Sequence, residues 1–148
     1  FVVDDDDEKQ TEESRAFIKL LQSLGVKQWM CHIDLHEQNS RKGFHLVSDK
    51  TKPRRAWHNA IITAVRKVTN LARAEPNDLR LKFFEQHGVM TIDSLSSLGM
   101  CAGLTNATYA TTFEARPESP PAVSGNENGV HVSGIAAALD HIIQTEKL

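Results

Sequence analysis

Apolar positions along this chain recur with two different periods, and the alternation between them predicts its elements. In "TEESRAFIKLLQSLG" the apolar residues Ala16, Phe17, Leu20, Leu21 and Leu24 fall three and four apart, the spacing of one helical stripe. Thr11 suits the N-cap of that helix and Gly25 its stop. "KQWMCHIDL" and "GFHLVSD" read as strands, with "EQNSRK" as the loop between them. From Pro53 an amphipathic helix extends through Trp57, Ala60, Ile61, Ala64, Val65, Val68, Leu71 and Ala72. Pro53 stands near its first turn, where a missing N–H costs little. "EPND" breaks the helix, "LRLKFFEQ" is compatible with a strand or a short helix, and "GVMTID" reads as a strand. "SLSSLGMCAGLTNA" is a loop of small residues, and "TYATTFEA" is strand-like through its Tyr, Thr and Phe content. The proline-rich "RPESPPAVSGNENG" closes that segment, and "VHVSGIAAALDHIIQ" makes a final helix. Strands and helices alternate, so the fold class is α/β.

Composition narrows what such a domain does. A chain of 148 residues supports one domain with a sizeable core. With 40% hydrophobic and 24% charged residues it falls among ordinary globular proteins. A formal charge of −2 argues against a surface that tracks phosphates, so nucleic acid is not an expected partner. Cys31 and Cys101 both sit in apolar surroundings, and one pair is too few for a disulfide framework; free thiols in a reducing compartment, the cytoplasm, are expected. No apolar run approaches the length of a membrane span, and the start "FVVDDDDEKQ" lacks the basic and apolar regions of a signal peptide. Its aspartates read as a solvated acidic loop ahead of a helix N-terminus, where negative charge is favoured. The chain opens without Met, as part of a longer one would.

Chemistry concentrates in two short stretches. In "CHIDLHE" the alternation of strand side chains sends Cys31, Ile33 and Leu35 toward a core and His32, Asp34 and His36 the other way. Four strand residues separate the two histidines by roughly 13 Å, so they do not share one metal. His36 is the better ligand candidate, because it stands at the carboxyl end of its strand, where open α/β sheets bind ligands. Asp34 and Glu37 are candidates to orient it. Glu114 in "YATTFEARPESP" ends a strand before a proline-rich turn; a carboxylate against apolar walls there serves as a general base and then acid. A salt bridge to Arg116, or simple exposure, explains Glu114 equally well from its neighbours alone.

The combined pattern is more specific. "HIDLHE", then "GFHLVSD" with the helix "AWHNAIITAVRKVT", then "LGMCAGLTNATYATTFEARPESP" and a final helix together resemble the C-terminal half of a zinc carboxypeptidase catalytic domain. The likeness is to the carboxypeptidase-like branch bordering the succinylglutamate desuccinylase and aspartoacylase enzymes. It implies part of a mixed, mostly parallel sheet flanked by helices, with Zn2+ as cofactor. His36 matches the family's third zinc ligand, Glu114 matches the general base that activates water, and "CAGLTNATY" matches the loop on the substrate side. The implied reaction is hydrolysis of an amide bond next to a free carboxylate, in a C-terminal peptide or an acylated amino acid. The family takes its first two zinc ligands from an upstream H-x-x-E motif, and here no histidine is followed three residues later by Glu. The resemblance therefore implies an N-terminal half or partner chain that supplies the remaining ligands. The competing expectation is an inactive half-domain that acts through protein contacts.

Overall fold

Thr11 starts the first helix as expected: its hydroxyl accepts the Ser14 backbone N–H, and α1 runs from Glu12 to Ser23. Glu12 and Glu13 in the first turn complement the helix dipole. Gly25, at φ +63°, ends the helix in the left-handed conformation that glycine adopts without strain. The computed structural model describes residues 11–37, 43–72, 84–86, 88–93, 101–115 and 127–148. The acidic start, the "EPND" break, Arg116 and the proline-rich turn lie outside the described residues.

The stripe expected to bury α1 is rotated. Leu20 and Leu24 are each 53% exposed and Ala16 is exposed, whereas Ser14 is fully buried and Phe17, Ile18 and Leu21 are partly so. Both stripes have helical spacing, and periodicity alone does not rank two overlapping faces.

Five strands follow: β1 (Cys31–Glu37), β2 (His45–Asp49), β3 (Phe84–Gln86), β4 (Val89–Ile92) and β5 (Tyr109–Ala115). They form one mixed sheet in the order β1-β5-β2-β4-β3. Parallel ladders join β1 to β5 over all seven residues and β2 to β4, while β5 with β2 and β3 with β4 run antiparallel. The fold is α/β, as the alternation of elements predicts.

Helix α2 (Arg55–Val65) is shorter than its sequence pattern, which continues to Ala72. Residues beyond it are drawn into strand-like pairing instead. Phe44 donates its N–H to Asn70, and Ala72 donates to Phe44. Gly43, at φ +90°, makes this approach possible, since a β-carbon there would stand 2.7 Å from the Asn70 carbonyl oxygen. Helix α3 spans Glu127–Glu146, extending the expected segment at both ends.

Helices α2 and α3 pack against one another and against one face of the sheet. Trp57, Ile61, Ile62 and Val65 of α2 meet Ala138 and Ile142 of α3 over Leu46, Val89, Tyr109 and Phe113. The indole N–H of Trp57 donates to the Ala138 carbonyl at 3.1 Å, which pins the two helices together. The opposite face carries a smaller cluster of Val47, Met90, Ile92 and Ala102. Ala102 belongs to a 3-10 turn at Cys101–Gly103 within the expected loop. Among the described residues, no helix is long and apolar enough to cross a membrane.

Candidate functional site

Among the described residues β1 is an edge strand of the sheet, not a buried one. Among those residues it pairs only with β5, and Leu35, expected in the core, is 47% exposed at this edge. Alternation along the strand holds nevertheless. Cys31 and Ile33 pack against the main core. Burial pushes the free Cys31 thiol up to about 11, so it stays protonated and unreactive at neutral pH.

On the other face, His32, Asp34 and His36 stand opposite Ala110, Thr112 and Glu114 in parallel register. The pairing brings His36 and Glu114, 78 residues apart in sequence, to the carboxyl ends of adjacent parallel strands. Nδ1 of His36 and Oε1 of Glu114 are hydrogen-bonded at 3.2 Å. On the far side of the ring, Nε2 lies 3.0 Å from Oδ2 of Asp34. That contact is an ion pair off the hydrogen-bond line, and Oδ2 is buried without a hydrogen-bond donor. Of the two residues expected to orient His36, Asp34 does meet it. Glu37 does not: one position further on, it is exposed on the opposite face, in register with Ala115.

Two carboxylates on one imidazole set its charge. Asp34 first and Glu114 second raise the pKa of His36 to about 9, against partial burial. At neutral pH the metal-free ring is therefore an imidazolium. Burial works against ionisation of Asp34, but the neighbouring His36 and then His32 outweigh it and hold the carboxyl below its usual range. His32 lies apart from this group, with its Nδ1 hydrogen-bonded to Thr105 Oγ1 at 2.8 Å. Burial lowers the proton affinity of His32, opposed by the charge of Asp34.

A metal ion would take the place of the proton on one ring nitrogen alone, because Glu114 faces Nδ1 and Asp34 faces Nε2 on the far side of the ring. Among the described residues, no group of three His, Cys, Asp or Glu side chains is arranged to hold a metal. His36 is the candidate ligand of this chain, and Glu114, hydrogen-bonded to it, is the candidate proton acceptor.

The core beneath the site is tightly built. Phe113, next to Glu114, is fully buried and meets Phe44 edge to face at 5.2 Å and His131 of α3 in a stack at 6.4 Å. Thr111 donates its hydroxyl to the Val47 carbonyl at 2.8 Å, fastening β5 to β2. Thr105 and the register that sets β2 beside Glu114 have no signal in the local sequence, because only strand pairing brings them here. No family model and no curated protein matches this chain.

Proposed function

We propose that this chain carries part of the active site of a zinc-dependent hydrolase of the metallocarboxypeptidase type. The observation that carries the reading is the register of His36 with Glu114, a candidate ligand and a candidate base hydrogen-bonded at the carboxyl ends of two parallel strands. The residues of "HIDLHE" and "TTFEARPESP" support it through their likeness to zinc carboxypeptidases.

His36 would be the ligand contributed by this chain, oriented from behind by Asp34. Zinc, when bound, would polarise the scissile carbonyl as a Lewis acid. Glu114 accepts the proton of the attacking water and delivers it to the leaving amine, so the carboxylate ends each turnover as it began. The proposed substrate is an amide bond next to a free carboxylate, in a C-terminal peptide or an acylated amino acid. The remaining ligands would come from an N-terminal half or a partner chain.

Substitution separates the two roles. His36→Ala should abolish stoichiometric zinc binding, whereas Glu114→Gln should retain zinc and lose turnover. Equal hydrolysis by the zinc-loaded Gln variant would remove Glu114 from the mechanism.

A second reading, a domain that works through protein contacts without turnover, draws on a different observation. Among the described residues β1 is paired along one side only, and Leu35 on it is exposed. It requires that the protein bind no zinc even with its partner present.

A further inference from the structure

The row of side chains across the sheet does not end at Glu114. On its other side β5 pairs with β2, and the antiparallel register sets His45 opposite Glu114. Residues directly opposite in a ladder project from the same face, with β-carbons about 5 Å apart. Glu114 thus stands between two histidines, one from each neighbouring strand. The face is the same for all three: Val47, two residues beyond His45, is opposite Thr112 and joins the apolar cluster on the side of the sheet away from α2 and α3.

His45 is the most enclosed member of the row, 2% exposed, whereas the side chains of His36 and Glu114 are 26% and 14% exposed. β2 is an interior strand of the sheet, and its register sets this buried imidazole directly beside Glu114 on the same face. We infer that His45 is a positioning residue of this site, walling the β2 side of Glu114 so that its carboxylate is held toward His36. The inference rests on the reading of Glu114 as the base and adds a residue to it.

Histidine-ring NMR of the metal-free full-length protein tests this without relying on turnover. His45→Phe fills the same space without ring nitrogens, and His45→Gln keeps a polar group. His45→Phe should shift the ring-nitrogen signals of His36 while leaving those of His32 in place, and His45→Gln should restore them in part. In a Glu114→Gln background the same His45→Phe change should no longer move His36. Unchanged His36 signals, or an equal shift with and without Glu114, would overturn the inference, the second because a purely structural role acts in both backgrounds. If His45→Phe fails to fold, the comparison of His45→Gln in the two backgrounds decides in the same way. Zinc binding by the unsubstituted protein is measured alongside. A protein that binds none defeats the hydrolase reading, and the ring signals still decide whether His45 positions Glu114.

Discussion

Asp34 and His36 lie two residues apart on the edge strand β1, and Oδ2 of the first stands 3.0 Å from Nε2 of the second. This carboxylate is the largest influence raising the proton affinity of His36. Asp34→Asn should therefore bring His36 down from about 9 toward its ordinary value, seen by NMR titration. On the proposed function it should also weaken zinc binding by roughly 10- to 100-fold, the usual effect of removing a group that orients a ligand. Unaltered zinc affinity would show that His36 needs no support from behind.

His58 provides a pH dependence distant from the site. It is buried beside Trp57, its Nε2 has no hydrogen-bond partner, and burial drives its pKa down to about 4. In the unfolded chain a histidine titrates near 6.5, so between these values the unfolded state binds more protons and stability falls as pH falls. Its full contribution is about 3 kcal/mol, intact above pH 6.5 and lost on acidification through pH 4. Urea unfolding at pH 7 and at pH 4.5 should show a smaller drop for His58→Leu than for the parent. Parallel pH profiles would mean that His58 is not the group being protonated.

Gly134 lets α3 approach the strand that carries Glu114. A β-carbon there would stand 2.7 Å from Cε2 of Phe113 and 3.3 Å from a methyl of Val65. The Phe113 ring is fully buried and has little room to yield. Gly134→Ala should gain about 1 kcal/mol of helix propensity and lose about 1–3 kcal/mol to overpacking. A net destabilisation is expected in the urea midpoint, and a stabilised variant would contradict the close approach.

Leu35 reports on the edge. At 47% exposure on a strand that is paired along one side among the described residues, Leu35→Lys should change stability of the isolated chain by no more than about 0.5 kcal/mol. If a partner covers this edge, the same variant should weaken association measured by sedimentation while folding stays intact. Loss of folding in the isolated chain would place Leu35 in a core.

Much was legible before any tertiary contact was known. Thr11, Gly25, the alternation of "CHIDLHE", the short strands "GFHLVSD", "GVMTID" and "YATTFEA", and the final helix are local signals, set by caps, backbone conformation and period. Separating Cys31 and Ile33 from His32, Asp34 and His36 needed only the two-residue repeat of a strand. What local signals do not encode is which strand lies beside which. Pairing made β1 an edge and left Leu35 exposed. Tertiary contacts likewise drew residues 70–72 out of the α2 pattern toward Phe44, and rotated the buried face of α1. It also decided the site: His36, Glu114 and His45 come from three segments, and only the parallel and antiparallel registers on either side of β5 set them in one row. The physical reason is that period and propensity act within a few residues, whereas strand pairing is chosen by burial and hydrogen bonding summed over the whole sheet.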